Sequence, residues 1–467
     1  MSNLENVRHS LNVCAVQRKF SIINSLIFAS VLMILPVNSW ALSDEQSKHL
    51  LLRAGFGAQP ELLQQVSKLA KSQAVTYLLN QQPSFAAAPS CVNNKLLDRK
   101  ARRKLSADQR KAYRRSLGKC NREFRSWYLE QLIADKAVLA NQMGLFWHNH
   151  FTSSLRKVKA SKLMYGQHLS IEKYALGSFG KLLKAMVNDP AMLVYLDNVN
   201  NSKVKPNENL GRELLELFTL GEGHYSEADV LSAAKALTGL RLNSNYQSQV
   251  HNKLHDSSAK TIFAGTTIRS ADDLVAALLA HPQTSLHISR AIWQHFISVV
   301  DERQVAKLAK VFARDWDIKQ LVHSILDSDQ FWQDSGKMIK SPVELVVGSV
   351  KTFQGIKIPA KRLTKMLSEM GQVLFDPPNV KGWPKDRDWL DTNKYIVRSY
   401  LMDQLARAIS SNMAVSGAPY CSLKKMASLA AIALPDTQKS KQFDNSMDGS
   451  CQQQLTQLVT HPIWQLK

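Results

Sequence analysis

Long stretches of this chain contain no residue that breaks a helix, and this constrains the fold more than any other feature of the sequence. The 467 residues include only 19 Gly and 15 Pro, a low share for a folded protein. Apolar residues recur at spacings of three and four along most of the chain, which is the pattern of helices with one buried face. We therefore predict an all-α fold, a large multi-helix orthogonal bundle with one short β-hairpin and ordered irregular loops.

The helical pattern extends over fourteen segments after residue 41. They are residues 44–53, 60–79, 122–151, 161–188, 207–220, 226–239, 271–280, 285–300, 302–314, 318–332, 342–354, 359–370, 393–411 and 452–458. Some begin with clear capping chemistry: Ser341-Pro342-Val343-Glu344 is a capping box with proline at the first helical position. Glu344 is thus predicted to cap a helix rather than to catalyse a reaction.

Two segments interrupt the helices. Between residues 247 and 267 the pattern predicts two short strands that form one hairpin around residues 255–258. Residues 374–384 contain three prolines and cannot be helical. Since Phe375 and Trp383 are large and apolar, this segment is predicted to be an ordered loop that buries both side chains.

The first 41 residues have the order of a secretory signal peptide. Arg8, Arg18 and Lys19 precede an apolar run over residues 20–36, and the small-residue pattern Ser39-Trp40-Ala41 follows. We predict cleavage after Ala41 and export to the periplasm or the cell surface. Retention of the apolar run as a membrane anchor is the alternative. No later segment predicts a membrane span.

Three domains follow from this division. They are a signal peptide at residues 1–41, a helical core domain at 42–410, and a polar C-terminal extension at 411–467 that ends in a short helix. Four cysteines remain after the predicted cleavage, and an even number fits an oxidising compartment. We predict the two local bonds, Cys91 to Cys120 and Cys421 to Cys451, with four free thiols as the alternative.

The chain is strongly basic, and its excess charge is concentrated in one segment. The formal net charge is +22 at pH 7, which favours polyanionic partners. Between Lys95 and Arg122 the chain has twelve basic and two acidic residues. We interpret residues 91–120 as a basic helical excursion that its two cysteines tether to the core domain. Its predicted ligand-binding residues are Arg102, Arg103, Lys104, Arg110, Lys111, Arg114 and Arg115.

This excursion suggests lipopolysaccharide, another anionic polysaccharide or acidic lipid as a ligand. Nucleic acid is the least favoured partner, because Tyr113 is the only aromatic residue of the segment available for base stacking and the protein is predicted to be exported. The alternative is a solvated helix that only improves solubility.

The stretch NENLGRELLELFTLG at residues 207–221 predicts a capped helix with an ordered polar stripe. Asn207 is placed to cap the first turn, and Gly221 to end the helix in a left-handed conformation. Glu208, Arg212 and Glu216 fall four residues apart on one side. The stripe is either a buried network that organises a site or a solvated face with ordinary ion pairs.

Several further tracts carry a resemblance that covers most of the chain after residue 41. They are HLLLRAGFG at 49–57, LFWHNHF at 145–151, DPAML at 189–193, the helix from Asn207, His255-Asp256, Lys260-Thr261, KSPVEL at 340–345 and DPPNVKGWP at 376–384. In this order they resemble the uncharacterised bacterial domain-of-unknown-function family 1800. The resemblance implies an exported protein without an assigned activity and, as a partner, a sulfatase-like exported protein. Gly211 departs from the family pattern, in which alanine is expected, and weakens its helix slightly.

The tract at 145–151 places two histidines near the end of a helix. His150 shares an apolar stripe with Phe146 and Trp147, whereas His148 points elsewhere. Two residues apart on a regular helix, they cannot bind one metal ion together. We predict that His150 is a hydrogen-bonded core residue, and that His148 is either exposed or functional.

The candidate catalytic residues are Glu208, Arg212, Glu213, Glu216 and His148. We expect them to meet in a cleft between helices that is lined by these polar groups, with Asp256 or Asp376 as further members. Carboxylates beside a histidine could act as acid and base. Arg212 would either orient an anionic group of a substrate or only neutralise its neighbouring glutamates.

Two classes of function follow. The favoured one is an exported, non-catalytic protein that binds an anionic envelope polymer or a partner protein through the basic excursion. The alternative is a hydrolase or lyase that acts on a polysaccharide or a sulfated substrate through the Glu/Arg/His cleft. The sequence has no phosphate loop, dinucleotide fingerprint, nucleophile elbow or zinc-protease motif, so no cofactor is identified and no metal site is predicted.

Overall fold

The computed structural model describes residues 41–353, 357–416 and 449–467. The chain divides into two units, Met1–Ala41 and Leu42–Lys467, and every helix and strand given below belongs to the second. The predicted signal peptide falls outside the described residues except for Ala41, and the predicted bond between Cys421 and Cys451 also lies outside them. Among the described residues, no helix has the length and apolar character that crossing a membrane requires.

Helices dominate the first half of this unit. They are α1 (Asp44–Ala54), α2 (Pro60–Val66), α3 (Lys71–Asn80), α4 (Arg99–Lys104), α5 (Ala107–Ala134), α6 (Val138–His150), α7 (Leu155–Val158), α8 (Ser161–Tyr174), α9 (Phe179–Val187), α10 (Pro190–Tyr195), α11 (Asn209–Glu213) and α12 (Glu227–Ala236). A π-helical turn, Leu214–Thr219, continues α11, and 3₁₀ turns lie at Ser90–Asn93 and Asn198–Asn200.

The second half is also helical after two hairpins. The strands are β1 (Leu240–Leu242), β2 (Ser248–Val250), β3 (Lys260–Ile262) and β4 (Thr266–Ile268). The helices are α13 (Ala271–Ala280), α14 (Pro282–Phe296), α15 (Glu302–Phe312), α16 (Ile318–Leu326), α17 (Asp329–Trp332), α18 (Pro342–Thr352), α19 (Ala360–Glu369), α20 (Thr392–Ser416) and α21 (Cys451–Thr460). Further 3₁₀ turns lie at Asp386–Trp389 and Pro462–Gln465. The predicted all-α class is confirmed.

The predicted single hairpin is wrong, because the described chain forms two. Strand β1 pairs with β2, and β3 pairs with β4, both antiparallel. Residues 247–267 contain β2, which is the second strand of the first hairpin, and most of the second hairpin, formed by β3 and β4. The first strand, β1, follows α12 directly and has only three residues, too few for alternation to distinguish it from the end of a helix.

Four predicted helices are each divided in two, among them residues 318–332, which form α16 and α17. The clearest case lies within residues 122–151, where α5 ends at Ala134 and α6 begins at Val138. The Asp135 carboxylate accepts hydrogen bonds from the Lys136 N–H at 2.9 Å and from the Asn141 side-chain amide at 2.8 Å. Such local bonds compete with the helical ladder and favour a turn. Residues 60–79 and 161–188 are divided in the same way, into α2 and α3 and into α8 and α9.

Helix α6 is the central element of the unit. Its residues from Val138 to His148 are all buried, and a helix that is apolar on all sides belongs in an interior. Met143 and Trp147 pack into one hydrophobic cluster, formed with α1, α3, α9 and α14. Leu145 packs into a second cluster, formed with α5, α18, α20 and α21. The last turn of α6 therefore occupies a fixed position among elements that are distant in sequence.

A buried ion pair joins the start of the unit to its end. Arg53 of α1 is fully buried, and its guanidinium lies 2.7 Å from the Asp334 carboxylate. The same guanidinium donates to the backbone oxygens of Phe296 at 2.5 Å, Asp334 at 2.7 Å and Lys467 at 2.8 Å. The Ser298 N–H also donates to Asp334, at 2.8 Å. These bonds supply the partners that two buried charges require.

We expect the substitution Arg53→Met to lower the free energy of unfolding by about 3–5 kcal/mol, because it leaves the Asp334 carboxylate buried without its counter-ion. The measurement is denaturant unfolding of the purified chain. The matched control is Lys184→Met, which breaks the exposed pair between Lys184 and Asp272 and should cost at most about 1 kcal/mol. Equal, small effects of the two substitutions would show that Arg53 does not hold the fold together.

Candidate functional site

The predicted stripe of residues 207–221 is built as a short helix followed by a wider turn. Gly221 has φ +86°, so the predicted left-handed end of the helix is confirmed. The predicted cap is wrong by one residue: the Asn207 side chain accepts from the Asn209 N–H at 3.1 Å, but the N-cap is Glu208, which forms no side-chain capping bond. Between these two ends, the Leu220 N–H bonds to the Leu215 oxygen at 2.9 Å, five residues back. The Thr219 hydroxyl donates to the Leu214 oxygen. The helix is thus π-helical from Leu214 onward, which changes the spacing that the sequence pattern assumed.

Gly211 serves a packing role on this helix. A Cβ atom at this position would lie 3.0 Å from the Ala234 backbone nitrogen and 3.3 Å from the Val230 oxygen, both on α12. Real Cβ contacts are rarely so short, so glycine allows α11 to approach α12 closely. The departure from the expected alanine therefore has a local reason, which offsets the lower helix propensity of glycine.

Arg212 is neutralised by carboxylates at the protein surface. It donates to both oxygens of Glu227 at 2.7 Å and to Glu208 at 3.1 Å. The hydrogen bond that Arg212 donates to Glu227 is the main cause that raises the pKa of Arg212. The Arg212 side chain is 33% exposed and that of Glu208 44% exposed. Of the two alternatives for this stripe, the structure matches the solvated face with ordinary ion pairs.

The other two candidate glutamates have separate environments. Glu216 accepts a hydrogen bond from the Tyr225 hydroxyl at 2.7 Å; burial, followed by this bond, raises the pKa of Tyr225 to about 12. Glu213 is partly buried, and burial followed by the charge of Glu216 raises its pKa. These contacts place the stripe beside α12, and they do not bring it to His148.

His148 lies inside the protein, so the alternative of simple exposure is wrong. Its side chain is 5% exposed, and its Nε2 lies 3.2 Å from Nδ1 of His168. The rings of Tyr128 and Phe375 pack against it with centroid distances of 6.0 and 4.9 Å. Burial lowers the pKa of His148 to about 3, so the ring is neutral near pH 7. The expected meeting of His148 with Glu208, Arg212 and Glu216 is absent.

The two further carboxylates are occupied elsewhere. Asp376 accepts from the Ser154 hydroxyl and lies 3.4 Å from the guanidinium groups of Arg125 and Arg156. Asp256 accepts from Ser258, and its carboxylate lies 3.6 Å from the Lys260 ammonium. Asp376 thus connects its loop to α5 and α7, Asp256 stabilises a local turn, and the structure does not join them to the predicted cleft.

The basic excursion folds as predicted and is anchored at both ends. It comprises α4 and the first half of α5, and the predicted bond between Cys91 and Cys120 is confirmed with an S–S distance of 2.07 Å. The backbone of Leu97 is fixed by two hydroxyls: its N–H donates to Tyr113 at 3.2 Å, and its oxygen accepts from Tyr246 at 2.7 Å. The segment is therefore held against the body of the protein and not only tethered.

The predicted ligand-binding side chains of the excursion are exposed. None of them forms an ion pair with any carboxylate in the part of the chain that the structure describes. They are Arg102, Arg103, Lys104, Arg110, Lys111, Arg114 and Arg115. The side-chain contacts recorded for two of them are to backbone oxygens, from Arg102 to Asp98 and from Arg110 to Leu105. Their charges therefore remain available to a ligand.

The excursion also forms one wall of a groove of about 830 Å³, which we call the basic groove. Lys100, Arg102, Arg103 and Arg110 lie on this wall. Residues from β1, the turn after it and the residue after β2 form the opposite wall; they are Arg241, Leu242, Asn243, Ser244, Tyr246 and His251. Sequence reasoning missed Arg241 and His251, since no local pattern shows that this hairpin faces the excursion.

A second concave region, which we call the polar cleft, has two adjoining parts of about 80 and 190 Å³. The parts share five lining residues, namely Phe146, Asn149, Ala291, Gln294 and Lys385. Its walls come from α6, α14, the segment around residues 338–344 and the predicted loop after residue 374. That loop is ordered and buries Phe375 and Trp383, as predicted. The tracts at 145–151, 340–345 and 376–384 thus meet here, a convergence that the sequence alone did not reveal.

His150 lies at the outer part of the polar cleft, and its predicted hydrogen bond is confirmed. Its Nε2 donates to the Phe218 oxygen at 3.0 Å, and Nε2 of His287 donates to the Leu217 oxygen at 3.2 Å. Both acceptors belong to the π-helical turn. Burial, followed by the nearby His287, lowers the pKa of His150 to about 3. The two histidines are therefore neutral donors that satisfy carbonyl groups at a helix end.

One end of the polar cleft contains a buried ion pair. Glu344 forms the predicted capping box, accepting from the Ser341 N–H at 2.8 Å, and it also accepts from the Lys467 ammonium and from Gln142. Burial alone would raise the pKa of Glu344, but the charge and hydrogen bond of Lys467, together with the Ser341 N–H, lower it to about 2. In the described residues, no group of three or more His, Cys, Asp or Glu side chains is arranged to hold a metal ion.

Comparison with known proteins yields one match. The sequence model of a family described as protein of unknown function (DUF1800) matches residues 49–465. No curated protein and no solved structure matches the chain.

The ion pair of Glu344 predicts a pH dependence of stability. Because the folded-state pKa of about 2 lies below the ordinary value of 4.5, the contribution of Glu344 is fully present above about pH 5 and is lost as pH falls toward 2. We expect the difference in free energy of unfolding between the wild type and Glu344→Gln to shrink by roughly 2–3 kcal/mol over this range. Chemical denaturation at a series of pH values measures it.

The control for this prediction is Glu302→Gln, which breaks an exposed pair with Arg290. Its effect should be small at every pH in the series. A wild-type advantage over Glu344→Gln that stays constant from pH 5 to pH 3 would contradict the assigned ion pair.

Proposed function

The chain belongs to the DUF1800 family of proteins of unknown function, and we propose that it binds an anionic polysaccharide in the basic groove. The observation that carries this proposal is the set of exposed cationic side chains on α4 and α5 that have no carboxylate partner in the described chain. Elsewhere on the surface, cations such as Lys184, Arg212 and Arg290 are paired with acids. Unpaired like charges repel one another, and a polyanion relieves that repulsion.

The anchoring of the excursion supports binding by a preformed surface. The disulfide and the two tyrosine hydroxyls that bond to Leu97 fix the position of α4 relative to the hairpin. A surface ordered before binding loses little conformational entropy when the ligand arrives. The second wall adds Arg241, whose guanidinium is itself held by the Val199 oxygen at 2.6 Å. A polymer with regularly spaced anionic groups would contact both walls at once.

Polysaccharide is favoured over nucleic acid by the composition of the groove. Tyr246 is its only aromatic residue in the described chain, and its hydroxyl already bonds to Leu97. Single-stranded nucleic acids are generally held by stacking on several aromatic rings. The N-terminal sequence adds a second reason, since a cleaved signal peptide would place the protein in the periplasm or at the cell surface. There, lipopolysaccharide and acidic polysaccharides are the abundant polyanions.

Two other proposals have less support. A partner protein, such as a sulfatase-like exported protein, would need an acidic surface that fits the groove. A hydrolase or lyase that uses Glu208, Arg212, Glu213, Glu216 and His148 would need these groups together. In the structure Arg212 is occupied by two carboxylates, and His148 is a neutral, buried ring. The geometry therefore favours binding over this form of catalysis.

The test is titration of the full chain with a sulfated polysaccharide at several salt concentrations. We expect the triple substitution Arg102→Gln, Arg103→Gln and Arg110→Gln to weaken binding at least roughly tenfold near 0.15 M salt. It should also make the slope of log affinity against log salt concentration shallower by about 2–3, because a variant with three fewer cations releases fewer counter-ions from the polymer. A single-stranded DNA of equal charge serves as the second ligand and should bind more weakly.

The matched control is Arg303→Gln, Lys307→Gln and Lys310→Gln on α15, which removes the same charge from another exposed surface. It should leave the affinity within about twofold, because only long-range, screened attraction is lost. Equal losses from the two triple variants would mean that net charge alone attracts the polymer, and the groove proposal would fail. Tighter binding of DNA than of polysaccharide would overturn the assigned ligand class.

A further inference from the structure

The polar cleft contains buried polar groups that have no protein partner. These are Trp383 Nε1, Gln142 Oε1 and His295 Nε2, none of which meets a partner within the described chain. Trp383 and Gln142 are themselves 4% and 0% exposed. An indole N–H can only donate, whereas an amide oxygen can only accept. The cleft therefore offers both kinds of hydrogen-bonding group in a place where leaving them unpaired is costly.

The cleft has one unpaired cation among its described lining residues. The Lys385 ammonium lines both parts and forms no ion pair within the described chain. Of the two lining carboxylates, Glu344 is paired with Lys467, whereas Asp386 accepts from the Ile339 N–H at 2.8 Å and has no cationic partner in the described chain. Burial lowers the pKa of His295 to about 3, so this ring is neutral near pH 7. An anionic group would thus be attracted by Lys385, against a partial repulsion from Asp386.

The walls of the cleft are rigid and partly apolar. Asn149, at the end of α6, accepts a hydrogen bond from the backbone N–H of Trp383 at 2.6 Å. Gly382 has φ +90°, and a Cβ atom there would lie 2.3 Å from the Asn149 side-chain oxygen, so only glycine allows this approach. Trp383, Trp389 and Phe146 supply aromatic surface. Such surface packs well against the C–H faces of a sugar ring.

We propose that the polar cleft is a binding site for a small sugar acid, a hydroxylated ligand of monosaccharide size that carries one carboxylate. Lys385 and the indole N–H of Trp383 bind the carboxylate, and the Gln142 side-chain oxygen accepts from a hydroxyl. The aromatic rings contact the sugar ring. The volume suits a monosaccharide rather than a polymer segment, because both parts are small compared with typical ligand pockets. This site is independent of the basic groove and does not depend on the proposed function.

The test is calorimetric titration of the full chain with D-glucuronate. Two comparison ligands are D-glucose, which has the hydroxyls but no charge, and acetate, which has the carboxylate but no hydroxyls. We expect glucuronate to bind more tightly than either. Lys385→Met should weaken glucuronate binding on the order of tenfold, since a charge-assisted contact is lost, and Lys385→Arg should restore most of it. Lys385 is exposed to solvent in the cleft, so these variants are expected to fold, and their thermal unfolding verifies that.

The control substitution is Lys310→Met on α15, which has the same change in charge and should leave glucuronate binding unchanged. Equal binding of glucose and glucuronate would overturn the role of Lys385, and absence of saturable glucuronate binding would overturn the site. The groove variant Arg102→Gln, Arg103→Gln and Arg110→Gln separates the two proposals. It should weaken only the polysaccharide, whereas loss of glucuronate binding in that variant would place the sugar acid in the groove and contradict the cleft assignment.

Discussion

The buried guanidinium of Arg53 is the interaction on which the rest of the structure depends. It bonds to Asp334, to the last residue of α14 and to Lys467, and it thereby connects α1 with elements more than 240 residues away. A buried cation is costly unless it is paired and hydrogen-bonded, and both terminal nitrogens of Arg53 have partners, so this arrangement tolerates few alternatives. Lys467 in turn bonds to Glu344. The end of α1, the start of α18 and residue 467 are therefore fixed together around α6.

This interior determines what the surface can do. Because α6 is held by both hydrophobic clusters, its last turn, with Asn149 and His150, presents a rigid wall to the polar cleft. On the outside, ion pairs distinguish two kinds of charged surface. The stripe around Arg212 is internally neutralised, and exposed pairs of that kind contribute little energy. The excursion on α4 and α5 is unpaired, so its charges are free to act on a ligand.

Local features of the sequence predicted most of the local structure. The capping box of Ser341 and Glu344, the end of a helix at Gly221 and the bond between Cys91 and Cys120 depend on residues that are close in sequence, or on loop closure over a short distance. The π-helical turn was missed, because its i to i−5 bond depends on packing and on the Thr219 hydroxyl rather than on apolar spacing. A periodicity argument assumes one helical pitch and could not detect it.

The sites could be predicted only in part, because tertiary structure brings their residues together from segments that are distant in sequence. The basic residues of the excursion were visible as a charge cluster, but Arg241 joins them through the tertiary position of a three-residue strand. His148 was expected beside glutamates, and instead its partner is His168, twenty residues further on α8. Trp383 was predicted as part of a proline-rich loop, and Lys385, which follows that loop, was not singled out. Their position opposite α14 depends on the contact between Gly382 and Asn149, which no sequence pattern encodes.

The central functional claim is that a rigid basic groove, and not charge in general, receives a polyanion. Hydrogen–deuterium exchange of the full chain with and without a sulfated polysaccharide tests it most directly, because exchange slows where a ligand covers or stabilises the backbone. The account predicts slower exchange in α4, in the first turns of α5 and in the hairpin of β1 and β2, with no change around residues 378–391. Slower exchange confined to other surfaces, with these segments unchanged at saturating ligand, would contradict it.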